Sequence, residues 1–353
     1  MRALFICGSM NQTTQMHQIA KHLRDVDCWF TRYYGDGILE YLRRKGLLEN
    51  TILGDKLAQR CMRYLKENNL KVDERGTQGN YDLVVTCSDL VVPRNIRASL
   101  IVLVQEGMTD PETWRFDLVR RYSFLPRWIA GTAATGLSGL YDCFCVASRG
   151  YCDFFIAKGA ESRKIVVTGI PNFDNCATFK KNNFPYQHFV LVCTSDLRET
   201  FNRENRRKFI RHAVRIAAGR QLIFKLHPNE NVERAKREIA TEAPGALVFL
   251  TGNTEEMIAN CDVLITRVST TIYVGLALGK ECYSDFSLAK LRHLMPIQNG
   301  GMAALNIAEV CTALLDARKR SYLPQRPAVS MDRALRAVRR KVTSPFRPEV
   351  VGL

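Results

Sequence analysis

Short runs of β-branched and aromatic residues recur along this chain, each followed by a turn of small or polar residues and then by an amphipathic stretch. Residues 4–7, 83–87, 100–104, 143–147 and 165–167 form one series, and 189–193, 222–226, 246–250 and 262–266 form a second. Uniformly apolar strands are those buried on both faces. Parallel strands need crossover connections, and the stretches at 13–24, 203–218, 232–242 and 269–278 are patterned as helices. The alternation predicts an α/β fold with doubly wound parallel sheets. A polar, turn-rich piece from Pro171-Asn172-Phe173 to Phe184-Pro185 interrupts the rhythm. At 353 residues the chain exceeds what one core usually serves. The division expected is a domain over 1–172, a linker over 173–187, a second domain over 188–305, and a helical basic segment over 306–353 that crosses back to the first domain. Two such sheets would face a cleft at their C-terminal edges.

The formal net charge is +16, and residues 318–347 hold ten Lys and Arg against one acid, Asp332. Arg333, Arg336 and Arg340 would form one stripe of a helix, opposite Leu335 and Val338. Between Arg318 and Arg347 the chain is thus suited to peripheral contact with an anionic membrane. Nucleic acid is not an expected partner, since no basic strand interleaved with aromatics and no recognition-helix pattern is present. No apolar run approaches the roughly 18 residues of a membrane span, and Met1 leads straight into a strand-like run, so the expected location is cytoplasmic, at most peripheral on the inner membrane face. The twelve cysteines are dispersed, several of them inside apolar runs, and lack zinc-ligand spacing. No metal site is expected.

Four stretches fall where strand ends meet turns. Gly8-Ser9-Met10-Asn11-Gln12-Thr13-Thr14 is a small, polar turn whose N–H groups suit an anion, without the glycine spacing of a dinucleotide fingerprint or the ending of a P-loop. Val104-Gln105-Glu106-Gly107 ends a strand in a carboxylate followed by glycine, which makes Glu106 a candidate general acid or base. Asp89, after the preceding strand, is a second candidate, whereas Asp110 before Pro111 reads as turn chemistry. In Lys225-Leu226-His227-Pro228-Asn229-Glu230, strand alternation would point Lys225 and His227 the same way, toward a diphosphate, with Glu230 opening the next helix. Ser269, Thr270 and Thr271 supply hydroxyls at a helix start.

In this order the segments resemble the UDP-N-acetylglucosamine 2-epimerase superfamily and the wider GT-B class of glycosyltransferases. Val104-Gln105-Glu106-Gly107 is similar to the epimerases' strand-ending Glu-Ala-Gly, and Val166 to Asp174 to their Val-Thr-Gly-Asn…Asp stretch. Lys225-Leu226-His227-Pro228 is similar to the Lys-Leu-His-Pro of CDP-glycerol glycerophosphotransferases. The resemblance implies two Rossmann-like domains, with the nucleotide held mainly by the second through Lys225, His227, Ser269, Thr270 and Thr271. Gly8 and Ser9 would join in binding, and Glu106 would lie near the reacting sugar. Epimerases carry Ser-Gly-Gly and paired glutamates where this chain has Ser269-Thr270-Thr271-Ile272-Tyr273. The expectation is therefore a metal-independent glycosyltransferase. It would move sugar from a nucleotide diphosphate donor, with no cofactor, to an envelope glycan or lipid-linked acceptor. Epimerisation of a UDP-sugar is the alternative, and a non-catalytic polyanion-binding protein the next.

Overall fold

Strand β1 (Arg2–Cys7) is buried from Ala3 onward and starts the larger of two sheets. The computed structural model describes residues 1–49, 51–122, 124–195, 204–321 and 331–342. The chain forms two units, one of Met1–Asp174 with Pro296–Leu353 and the other of Asn175–Met295. In unit 1, β1 is followed by α1 (Met10–Ala20), β2 (Asp27–Arg32), α2 (Ile38–Arg44), α3 (Asp55–Glu67), β3 (Leu83–Thr86), β4 (Leu100–Val104), α4 (Trp114–Arg121), β5 (Cys143–Val146), α5 (Arg149–Lys158) and β6 (Ile165–Val167). The strands run parallel in the order β2-β1-β3-β4-β5-β6, in the register Phe5↔Val85 and Val102↔Cys143. The order reverses between β1 and β3, so the turns leaving those strands open the crevice where ligands of doubly wound sheets bind.

Unit 2 holds β7 (Val190–Cys193), α6 (Arg206–Ala217), β8 (Leu222–Lys225), α7 (Val232–Glu242), β9 (Leu247–Phe249), α8 (Thr254–Asn260), β10 (Val263–Ile265), α9 (Thr271–Ala277), β11 (Glu281–Tyr283) and α10 (Leu288–Leu294). Its parallel order is β11-β10-β7-β8-β9, which puts the reversal between β7 and β10. The doubly wound α/β architecture expected from the alternation is therefore present in both units. The chain then returns to unit 1 as α11 (Ala303–Ser321) and α12 (Met331–Val342). Ile307, Val310, Cys311 and Leu314 of α11, and Leu335 and Val338 of α12, join the core built on β1, β3 and β4. Asp174 fixes the return, its Oδ2 accepting the N–H of Ala303 at 2.7 Å. In the basic C-terminal segment, Arg339 donates to the carbonyls of Ser162 and Arg163. Residues 322–330 and 343–347 of that segment lie outside the described residues.

All twelve cysteines are free thiols, buried except for Cys28. Among the described residues no helix is long and apolar enough to cross a membrane.

Helix α2 is held by charge as well as packing. Glu40 accepts from Arg43 at 3.0 Å and Arg44 at 2.9 Å, and the Arg43 bonds above all pull its carboxyl down to about 2. A depressed carboxyl pKa stabilises the fold above the unfolded value and loses that contribution as pH falls toward the folded one. Glu40→Gln should cost about 1 kcal/mol near neutral pH, discounted for solvent screening. Urea midpoints of variant and parent should converge as the pH is lowered from 4.5 toward about 2.

Candidate functional site

In unit 1 the turn after β1 and the end of β4 converge on Glu106. Ser9 caps α1, its Oγ accepting the N–H of Gln12 at 3.1 Å while donating to Glu106 Oε1 at 2.6 Å. Gln12 donates from Nε2 to Glu106 Oε2 at 2.5 Å, and Asn11 Nδ2 approaches Oε1 at 3.5 Å. The Glu106 carbonyl accepts from Gln15 at 3.0 Å and from Asn11 at 3.3 Å. Asn172 Nδ2 donates to the main-chain carbonyl of Asn11 at 3.0 Å and to its side-chain Oδ1, which aims that side chain. Gly8 leaves room for these side chains, since a Cβ there would come within 2.2 Å of Gln12 Oε1 and 2.5 Å of Ile52 and would displace both. Gln105, buried beside Glu106, accepts from the N–H of Ala147 and donates to the carbonyl of Gly107, which braces the strand end.

Glu106, Ser9 and Gln12 form part of the wall of a cavity of about 480 Å³. The rest of the wall is mainly apolar, with Leu39, Ile52, Leu90, Val91, Met108 and Trp128 among its residues. A cavity of this size, apolar with a few converging polar groups, has the usual form of a small-molecule site. A carboxylate held in one rotamer at its edge can accept a proton from a hydroxyl placed there.

Two carboxylates of the same region have structural duties. Asp89 is buried and both its oxygens accept main-chain N–H groups, from Gly136 at 2.9 Å and Ser138 at 3.0 Å. Burial raises its pKa while those bonds oppose the shift. These two bonds tie Asp89, the second candidate base, to the 136–138 turn. Asp110 exchanges bonds with Thr132, as turn chemistry implied.

In unit 2, β8 ends at Lys225, so the alternation that would align Lys225 with His227 stops between them. Lys225 is 7% exposed; its ammonium donates to the carbonyls of Leu226 at 3.3 Å and Leu250 at 3.2 Å, and burial lowers its pKa. Lys225 thus ties β8 to the chain leaving β9. His227 is half-buried. Its N–H donates to Thr194 Oγ1 at 3.1 Å and Glu230 Oε2 at 3.3 Å, and its Nδ1 accepts from the N–H of Asn229 at 3.3 Å. An acceptor Nδ1 leaves the neutral ring's proton on Nε2.

Glu230 does not cap the following helix, a role taken by Asn231. It is buried, bonded to Thr194, and 2.6 Å from Arg206, which also meets Glu204 at 2.9 Å and the Ser195 carbonyl at 2.8 Å. Arg267, after β10, reaches Glu204 at 3.5 Å and Asp285 at 2.7 Å. This network crosses the reversal between β7 and β10. Ser269 and Thr271 lie beside it, their hydroxyls 2.9 Å apart, with Thr270 as the residue preceding α9. Gly275 lets α9 approach the sheet, since a Cβ there would come 2.7 Å from Leu264. Among the described residues no group of three His, Cys, Asp or Glu side chains is placed to hold a metal ion.

The structure therefore joins Ser9 to Glu106 in unit 1, and sets His227 and Ser269 to Thr271 at the C-terminal edge of the unit 2 sheet. Asn11, Gln12 and Asn172 lay in stretches that the sequence singled out, without a role read for their side chains, while Gln15 and, in unit 2, Thr194, Glu204 and Arg206 were missed. The one available signal was the run of amide side chains at Asn11, Gln12 and Gln15, whose spacing puts Gln12 and Gln15 on one helical face.

No protein-family model matches the chain, and no curated protein matches it in sequence. Solved structures do match in fold. S. aureus MnaA, solved with UDP, aligns with a TM-score of 0.55 at 10% identity over 93% of this chain and 99% of that one. The UDP-GlcNAc 2-epimerase of Neisseria meningitidis, bound to UDP-GlcNAc, aligns at 0.51 with 12% identity over 96% and 98%. The Methanocaldococcus jannaschii UDP-GlcNAc 2-epimerase, in complex with UDP-GlcNAc and UDP, aligns at 0.50 with 14% identity over 98% and 100%. The chain has the two-unit α/β fold of these solved structures.

Proposed function

We propose that the protein is a glycosyltransferase that moves a sugar from a nucleotide diphosphate donor to a hydroxyl on an apolar acceptor. The observation that carries this reading is the unit 1 cavity. A transferase needs a place for its second substrate, and a mainly apolar pocket with a rigidly held carboxylate in its wall offers one. Glu106 accepts the acceptor's proton as its oxygen bonds to the anomeric carbon. The bond from that carbon to the diphosphate breaks, and the nucleoside diphosphate leaves. In unit 2, His227 Nε2–H and the hydroxyls of Ser269 to Thr271 meet the charge of the leaving group. The apolar wall favours a lipid-linked acceptor over a soluble glycan. The fold shared with solved epimerases supports the second reading, epimerisation of a UDP-sugar without an acceptor.

A thermal-shift panel of nucleotide diphosphate sugars tests donor binding. A cognate donor at about a hundred times its Kd should stabilise the protein by about 2.7 kcal/mol. His227→Ala should weaken it about tenfold, the loss of one charge-assisted hydrogen bond. No shift with any nucleotide-sugar, combined with a shift by polyphosphate, would instead favour a polyanion-binding protein.

A further inference from the structure

One face of unit 1 exposes more apolar and cationic surface than its packing explains. Helix α4 buries Phe116 and Val119 against Ala130, Ala133 and Ala134, which satisfies one side of it. On another side Trp114, Leu118 and Tyr122 recur every four residues, a second apolar stripe that faces solvent, with Trp114 69% exposed. Phe124 follows, 79% exposed, its ring centroid 5.8 Å from that of Tyr122. Ile38, 70% exposed, lines one surface groove together with Phe124, Trp128 and Leu140, flanked by Arg94 and Arg127. Leu39 and Trp128 line both this groove and the apolar cavity, so the two adjoin. A contiguous exposed patch of large apolar side chains marks an interaction surface.

The charge on this face selects the partner. Over residues 114–128 there are four arginines, Arg115, Arg120, Arg121 and Arg127, against one acid, Asp117. Asp36, which lines the same groove, accepts the N–H of Arg94. Arg115 and Arg121 lie over the rings of Trp114 and Tyr122 at 5.6 and 5.8 Å. Aromatic rings and guanidinium groups at one level suit the headgroup region of a bilayer, where rings bury their apolar bodies and cations meet lipid phosphates. A second copy of this chain would set the same arginines against one another, on a protein already carrying +16.

We propose that this face of unit 1 docks on an anionic lipid bilayer, with Ile38, Trp114 and Phe124 entering the boundary between headgroups and acyl chains. Docking of this kind brings the mouth of the apolar cavity to the lipid surface. It depends on no step of the transfer reaction and stands if that reading fails.

Co-sedimentation of the full chain with vesicles of equimolar phosphatidylcholine and phosphatidylglycerol tests it. The protein should pellet with these vesicles, bind pure phosphatidylcholine weakly, and release as the Debye length shrinks from about 10 Å at 0.1 M salt to about 3 Å at 1 M. Ile38→Ser combined with Phe124→Ser removes two side chains that are already exposed, so the melting temperature should hold. Vesicle affinity should fall roughly tenfold or more, from the lost apolar burial. Arg336→Gln combined with Arg340→Gln, on α12, should leave affinity unchanged. Failure of the parent to bind, or equal binding by the Ile38/Phe124 variant, would overturn the proposal. Self-association lost in that variant, without vesicle binding by the parent, would overturn it in favour of a protein interface.

Discussion

Glu106→Gln should reduce turnover by about a hundred to ten thousand times, the range expected on removing a general base. The loss should appear in kcat, with nucleotide-sugar affinity retained. Glutamine has the shape of glutamate and can keep the Ser9 hydroxyl as a donor to its oxygen. The Gln12 amide, now 2.5 Å from Oε2, must rotate to face an NH₂ group instead. Both residues sit on one short turn, so the adjustment is local and the melting temperature should move little. Glu106→Asp would keep the charge but draw it back by one methylene from Gln12, and should restore only part of the rate. Full activity in Glu106→Gln would remove the residue from the chemistry.

The largest expected effect on stability lies in unit 2. Arg206 is 3% exposed and sits between two buried carboxylates, 2.9 Å from Glu204 and 2.6 Å from Glu230. Replacing it with methionine fills much of the volume but takes the guanidinium from between two acids, a change that typically costs about 3–5 kcal/mol. Urea unfolding should show this as a lower midpoint with an unchanged slope. Adding Glu230→Gln removes one of the two charges, so the double variant should recover part of the loss. Equal destabilisation of the single and double variants would mean that packing, rather than charge, dominates. The turn that fixes His227 rests on the same Glu230, so nucleotide affinity should fall along with stability.

The sheet centres were readable from the chain because their strands are buried on both faces and carry unbroken apolar runs, as at 83–86, 100–104 and 190–193. The edges were not. β2 is Asp-Cys-Trp-Phe-Thr-Arg with its first three residues only partly buried, and β11 spans three residues beginning with an exposed glutamate. Neither shows a hydrophobic period, because an edge strand is covered less completely. Helix α7 was legible residue for residue from its amphipathic pattern, while α1 begins three residues before its expected start because Ser9 caps it. In the site, Glu106 was visible as a carboxylate closing an apolar strand. Its partners were not, since glutamine and asparagine carry no periodic signal and their roles follow from tertiary approach. The same holds for Arg206 and Glu204, which look like surface charges in a charged stretch and are buried only because β7 and β8 bring Thr194 and Glu230 beside them. The contacts of Lys225 were hidden for a related reason. Its charge suggested an outside ligand, and the main chain at Leu226 and Leu250 supplied the acceptors.

The most direct measurement follows a stabilising nucleotide-sugar by proton and phosphorus NMR, with purified protein and with a prenol-type alcohol supplied in detergent. A transferase that uses Glu106 as base and the unit 1 cavity for its acceptor should release nucleoside diphosphate and form a new anomeric signal on the alcohol, at a rate lost in Glu106→Gln. Appearance of an epimerised nucleotide-sugar without the alcohol, at the same rate with or without it, would contradict transfer and establish epimerisation instead.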